Sequence, residues 1–192
     1  MNYINSQIQS HIETAKKVAE STELLGAVEA AADVIIEALK KNGKIMLAGN
    51  GGSAADSQHI AAELINRFNF DREGLYAIAL TTDTSVLTSI GNDYAFDKIF
   101  SRQIRAIGNA ADVFVAFSTS GNSANIIDAL KECKLRGIKT VGFSGLSGSA
   151  MKDYCDVLIS VPSSETPRIQ EMHILLAHII CGMVEDTIFA DK

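Results

Sequence analysis

Five short apolar runs punctuate the sequence: KIMLAG (44–49), YAIAL (76–80), DVFVAFS (112–118), KTVGFSG (139–145) and DVLISVP (156–162). Each is continuous rather than alternating and is bounded by Gly, Asp or Pro, the pattern of strands buried on both faces. The stretches between them, about 53–67, 84–108 and 122–136, are long enough for crossover helices. A strand that must be covered on both sides, followed by a helix that carries the chain back, leaves few solutions. The expectation is a five-stranded parallel sheet between two layers of helices, an α/β three-layer sandwich, closed by a last helix over about 167–189.

Two helical patterns precede the first strand, about 3–20 and 24–42, the second with Leu25, Val28, Ala31, Ala32, Ile35 and Leu39 at helical spacing. Such helices pack either across the sheet or against a partner subunit, and the second arrangement is expected here. That divides residues 1–192 into a helical oligomerisation segment (1–42) and an α/β core (43–192) within one domain. A chain of 192 residues that is 47% hydrophobic and has two prolines suits a single core.

The net charge of −6 argues against a general binder of nucleic acid or membrane surfaces, which need a positive field. Any anionic ligand must therefore be held locally. Cys133, Cys155 and Cys181 are odd in number and form no CxxC pair, so neither a disulfide framework nor a thiolate zinc site is expected. The N-terminal MNYINSQIQSHIETAKK lacks the basic start and apolar stretch of a signal peptide, and no apolar run reads as long enough to span a bilayer. The expected location is the cytoplasm.

Two glycine-containing turns fall at the carboxyl ends of expected strands, where ligands of open parallel sheets bind. In GNGGSA, Gly49, Gly51 and Gly52 permit tight backbone geometry, and Ser53 is placed to cap the next helix with Asp56 three residues on. The loop has no Lys after its last glycine and lacks GxGxxG spacing, so it is neither a Walker nor a dinucleotide sequence. In STSGNSAN, Ser118, Thr119, Ser120 and Ser123 surround Gly121 beside a helix N-terminus, a seat for a phosphate dianion. Both stretches also read as ordinary strand-to-helix turns, since Gly, Ser and Asn dominate such turns.

His59 and Glu63 are i and i+4 on the helix leaving the first turn, and so share a face. RIQEMHILLAH repeats the theme with Gln170, Glu171, His173 and His178. Singly these are a solvated ion pair and core histidines; jointly, two helices carrying N and O donors could complete a tetrahedral zinc site.

Together, GNGGSAADSQHIAAELINRF, LTTDTSVLTSIGNDYAFDKIFSRQ, STSGNSAN and RIQEMHILLAH resemble the bacterial phosphoheptose isomerases of the sugar-isomerase (SIS) fold family, over about residues 24–190. TSGNS alone would indicate only the wider family; the His59/Glu63 helix combined with Gln170 and His178 is more specific. The resemblance implies a flavodoxin-like sheet and a homotetramer with sites shared between subunits. It also implies an aldose–ketose isomerase converting sedoheptulose 7-phosphate to D-glycero-D-manno-heptose 7-phosphate through an enediolate, towards lipopolysaccharide or another surface glycan. By motif position, one Zn2+ per subunit falls on His59, Glu63, Gln170 and His178. Sugar phosphate contacts fall on Asn50, Gly51, Gly52, Ser53, Asp93, Ser118, Thr119, Ser120, Ser123 and Gln170. Some members carry an acidic residue just before Arg-Ile-Gln-Glu, where this chain has Pro167 after Thr166.

Moving a carbonyl between C1 and C2 needs a base for a carbon-bound proton and a group that moves protons among the oxygens. Glu63 is the natural carbon base and His178 the second group, because an imidazole titrates near neutrality. The rival readings are an isomerase of a hexulose or pentulose phosphate and a DnaA-binding assembly factor of the same fold. That assembly factor lacks the Glu and the final His that this chain keeps as Glu63 and His178.

Overall fold

The computed structural model describes residues 2–146 and 150–190. All five apolar runs form strands: β1 (Ile45–Gly49), β2 (Ala77–Ala79), β3 (Val113–Phe117), β4 (Lys139–Ser144) and β5 (Val157–Ser160). The helices are α1 (Tyr3–Glu20), α2 (Thr22–Lys40), α3 (Gly52–Ile65), α4 (Thr84–Asp93), α5 (Ser101–Ile107), α6 (Ala124–Arg136) and α7 (Thr166–Phe189). The single crossover helix expected over 84–108 is instead α4, a 3-10 turn at Phe96–Lys98 and α5. No residue of α4 is buried, so tertiary packing gives that stretch no reason to continue as one helix.

The sheet is wholly parallel, in the order β2-β1-β3-β4-β5. The order in which strands are added reverses after β2, because the chain leaves β1 towards one edge and returns to β3 on the other side of β1. In flavodoxin-like sheets this reversal opens a crevice at the carboxyl ends of β1 and β3. Gly49 pairs with Phe117 across those two strands, so the two glycine-containing turns begin side by side.

Strand side chains alternate between two cores. Ile45, Leu47, Val113, Val115, Phe117 and Phe143 face α2, α3 and α7. Met46, Ala48, Phe114 and Ala116 face α5 and α6. Phe114, Phe117 and Phe143 are fully buried, each stabilising the fold by about 1.5–3 kcal/mol through transfer from water.

α2 belongs to the first of these cores. Leu24, Val28, Ala31, Ala32, Ile35 and Ile36 are buried within the chain, so its stripe is centred on Leu24 and leaves Leu25 outside. α1 leaves four large apolar side chains outward, Tyr3, Ile4, Ile8 and Ile12. α1 is tied to the start of α7 by His11, 2.8 Å from Glu171, and by Arg168, which donates to the Gln7 carbonyl.

α7 corrects one sequence expectation. By length and composition it could cross a membrane, with an 18-residue window of mean hydropathy 1.5. Half of that window is buried against the chain's own α2, α3 and sheet, and the helix carries the buried Glu185. It is apolar because it is a core helix, and the polar residues that interrupt it weakened the signal in the sequence.

Candidate active site

The first turn ends β1 at Gly49 and starts α3 at Gly52, with Gly51 at the N-cap in a left-handed conformation, φ 59° and ψ −121°. Only glycine adopts that region at low cost. Ser53 is therefore not the cap: it lies buried within the first turn of α3, where its carbonyl accepts a hydrogen bond from Ser57 at 2.8 Å. The expected capping box is absent as well. Asp56 Oδ2 is buried without a partner, and burial raises its carboxyl pKa, partly offset by His59.

The second turn folds back on itself through Gly121, at φ 65°. Ser118 Oγ lies 2.8 Å from Ser123 Oγ and 3.5 Å from Ser120 Oγ, so three hydroxyls converge. Ser123 occupies the N-cap of α6, but its side chain makes no capping hydrogen bond. The first N–H groups of α6 thus keep their donors for a ligand. The Thr119 carbonyl accepts from Gly145 N–H at 3.1 Å, tying the turn to the end of β4.

A reciprocal amide pair joins the two turns. Asn50 Nδ2 donates to Asn125 Oδ1 at 2.9 Å, and Asn125 Nδ2 returns a bond to Asn50 Oδ1 at 2.8 Å. Asn50 was expected in the sugar site; within one chain its amide holds the turns together. Above Asn50 and Gly51 lies a groove of about 190 Å³, walled by Thr81, Leu87, Phe96 and Phe100. Another cavity, of about 240 Å³ and lined by Lys134, Lys139 and Tyr154, lies at the amino end of the sheet and is remote from the turns.

α3 and α7 run alongside one another in the same direction, and this registers their polar residues. Gln170 lies against Gly52, where an added Cβ would stand 2.5 Å from its Nε2. About two turns further along both helices, His59 Nε2 lies 2.8 Å from His178 Nε2 and 3.2 Å from Glu63 Oε1. One ligand atom from each of His59, Glu63 and His178 falls within 4.8 Å of the others. Phe68 stacks on His178 with ring centroids 5.5 Å apart and planes at 20°. Burial and the neighbouring His59 lower the His178 pKa against the pull of Glu63. The ring is thereby kept neutral, the form that accepts a proton or binds a metal.

The donor set suits a metal: two imidazole nitrogens and a carboxylate are the ligand types of catalytic zinc sites that leave a position open. Gln170, the fourth expected ligand, stands about 12 Å from His178 along α7, beside the first turn. Asp93 is also set apart: it ends α4 and lines a separate surface cleft of about 720 Å³ with Tyr94, Lys98 and Arg102. His173 is a satisfied core histidine, fully buried with Nε2 donating to the Ser144 carbonyl at 3.1 Å. Phe68 and Asn125 complete the site without having been singled out in the sequence. Asn125 ends the quoted STSGNSAN and Phe68 ends the quoted GNGGSAADSQHIAAELINRF, but nothing in the spacing of either marks its role.

The SIS domain family model matches residues 8–145. The phosphoheptose isomerase of Aneurinibacillus thermoaerophilus is 54% identical over 191 residues, an alignment covering 100% of this chain and 96% of that protein. The solved phosphoheptose isomerase of Neisseria gonorrhoeae superposes with a TM-score of 0.89 at 42% identity, covering 95% of this chain and 97% of the other. That of Francisella tularensis superposes with a TM-score of 0.90 at 34% identity, covering 95% and 96%. With that identity and superposition along nearly its full length, the chain belongs to the SIS domain family, among the phosphoheptose isomerases.

Proposed function

We propose that the chain interconverts sedoheptulose 7-phosphate and D-glycero-D-manno-heptose 7-phosphate as a cytoplasmic homotetramer, supplying heptose for lipopolysaccharide or another surface glycan. The observation that carries this reading is the convergence of His59, Glu63 and His178 on α3 and α7, two helical turns along from the first glycine turn. Ser118, Ser120 and Ser123, with the N-terminus of α6, hold the phosphate; Thr119, Gly51, Gly52 and Ser53 border the sugar, which Asp93, on its separate cleft, would meet only in a site shared with another subunit. About 10 Å of α3 separates the first turn from His59. That span suits an extended sugar chain better than a triose.

Glu63 takes the proton from the carbon next to the carbonyl and returns it to the neighbouring carbon, so no net proton is lost. His178, held neutral, carries the hydroxyl proton between O1 and O2. Binding energy from the remote phosphate keeps the reacting carbons within reach of both groups. A zinc ion would be held by His59, Glu63 and His178, and Gln170, about 12 Å away along α7, would serve as the fourth ligand only from another subunit of the tetramer. When bound it would polarise the substrate oxygens. The outward Tyr3, Ile4, Ile8 and Ile12 of α1 are the surface by which the N-terminal segment serves oligomerisation.

A coupled assay of the purified protein against heptulose, hexulose and pentulose 7-, 6- and 5-phosphates tests the reading. Turnover highest on the heptulose phosphate is expected. Preference for a shorter sugar would make it a different isomerase, and inactivity on all three with DnaA binding would make it an assembly factor.

A further inference from the structure

Beyond the cluster, α3 and α7 are joined by a buried ion pair that the isomerase reaction does not use directly. Arg72 Nε donates to Glu185 Oε1 at 2.8 Å, with side chains 1% and 0% exposed. Arg72 spends its remaining donors on the frayed end of α3: Nη2 reaches the Glu63 carbonyl at 2.8 Å and Nη1 the Leu64 carbonyl at 2.7 Å. These are among the last helix carbonyls, which have no partner within the helix, and a cation there also meets the negative end of the helix dipole. Glu185 accepts the N–H groups of Phe68 at 2.9 Å and Asn69 at 2.6 Å. Those two bonds fix the backbone that seats the Phe68 ring on His178.

A buried ion pair is a poor way to gain stability alone, since well-packed apolar residues of the same volume often serve as well. What apolar residues cannot do is gather backbone donors and acceptors from both sides of the cluster, and the planar guanidinium fork is suited to that task. We propose that Arg72 and Glu185 are positioning residues for the isomerisation: they fix Glu63 through its own carbonyl and hold the His178 ring through Phe68. This rests on the reading of Glu63 and His178 as the reacting pair. The phosphate seat at residues 118–123 lies on other elements and is not held by the clamp.

The test is steady-state kinetics on sedoheptulose 7-phosphate with Arg72→Lys, Phe68→Leu, Phe68→Tyr and the Arg72→Lys/Phe68→Leu double variant, each below its melting temperature. Arg72→Lys keeps the charge but cannot span the four carbonyls and one carboxylate that Arg72 reaches. It should lower kcat roughly tenfold to a hundredfold, as a small misplacement of reacting groups does, with KM within about twofold. Phe68→Leu should fall similarly, Phe68→Tyr should keep activity, and the double variant should be little worse than the poorer single one. A folded Arg72→Lys with unchanged kcat, or single effects that multiply in full, would overturn the proposal. If Arg72→Lys does not fold, Phe68→Leu decides, because a leucine as active as phenylalanine removes the route to His178. Glu63→Gln, assayed alongside, separates the two failures. Full activity there removes the reacting-pair reading and the clamp with it, whereas an inactive Glu63→Gln beside normal Arg72→Lys and Phe68→Leu overturns the clamp alone.

Discussion

The Nε2 atoms of His59 and His178 stand 2.8 Å apart although 119 positions separate them in the chain. Two Nε2–H groups cannot face each other at that distance, so one nitrogen donates to the other or both offer their lone pairs to a shared cation. Glu63 Oε1, 3.2 Å from His59 Nε2, adds a negative charge to the same point and favours the cation.

Protein purified without chelator should therefore contain zinc, about one ion per chain by elemental analysis. His59→Ala should lose most of it. Gln170→Ala should lose less, because in the single chain Gln170 lies against Gly52 rather than in the cluster. Full zinc content in His59→Ala would place the metal elsewhere, and full activity in a metal-free sample would leave His59, Glu63 and His178 as proton-transfer groups only.

Glu63→Gln keeps the shape of the side chain and removes the basic carboxylate. If Glu63 takes the carbon proton, kcat should fall a hundredfold or more, with the oligomer unchanged by light scattering. His178→Asn should fall comparably, with loss of metal as an added effect. Turnover surviving intact in Glu63→Gln would sink the base assignment.

The serine turn separates binding from folding. Ser120 is exposed and its hydroxyl accepts from Asn122 N–H, whereas Ser118 is buried and its hydroxyl meets Ser123. Ser120→Ala should raise KM for the sugar phosphate without moving the melting temperature. Ser118→Ala should both raise KM and destabilise by about 1 kcal/mol, the typical net value of one hydrogen bond. Wild-type kinetics in both would send the phosphate to the first turn.

Much of this architecture is legible in the sequence because it rests on local chemistry. Strands covered on both faces must be apolar throughout, so Ile45–Gly49 and Val113–Phe117 announce themselves, and His59/Glu63 share a face by helical geometry alone. What escaped is what long-range pairing decides. Gly51 rather than Ser53 takes the N-cap because the chain needs a left-handed residue where it leaves the sheet. The stripe of α2 turns inward because α7 offers it an apolar face, and no local pattern distinguishes a partner helix in the same chain from one in another. Arg72 lies in the polar stretch NFDREG, where no local pattern marks it; its burial follows only from Glu185, 113 positions away.

His173 and Glu185 divide the acid stability of the fold into two windows. His173 is fully buried, its Nε2–H donates to the Ser144 carbonyl, and Nδ1 has no partner. Adding a proton would create a buried cation with an unsatisfied N–H, so burial pushes the pKa from 6.5 down to about 4, against the bond to Ser144. A folded-state pKa below the unfolded one means that the unfolded chain binds the proton first. Stability is then complete above pH 6.5 and is lost as pH falls towards 4, at up to about 1.4 kcal/mol per pH unit and on the order of 3 kcal/mol in all. Burial also raises the Glu185 pKa, but the Asn69 and Phe68 N–H groups and Arg72 outweigh it and hold the carboxyl below 4.5. Its contribution is therefore present above that range and is lost only as pH falls below it. Urea unfolding at pH 7.5, 6.5, 5.5 and 4.5 should show wild type weakening across the first window. His173→Leu should start lower by about 1–3 kcal/mol, because the Ser144 carbonyl is left without its donor, but should have a clearly shallower slope down to pH 4.5, the lowered His178 pKa supplying part of what remains. Glu185→Gln should lower stability at neutral pH and leave the first window's slope in place. A His173→Leu protein with the wild-type slope between pH 6.5 and 4.5 would assign that acid sensitivity to other groups.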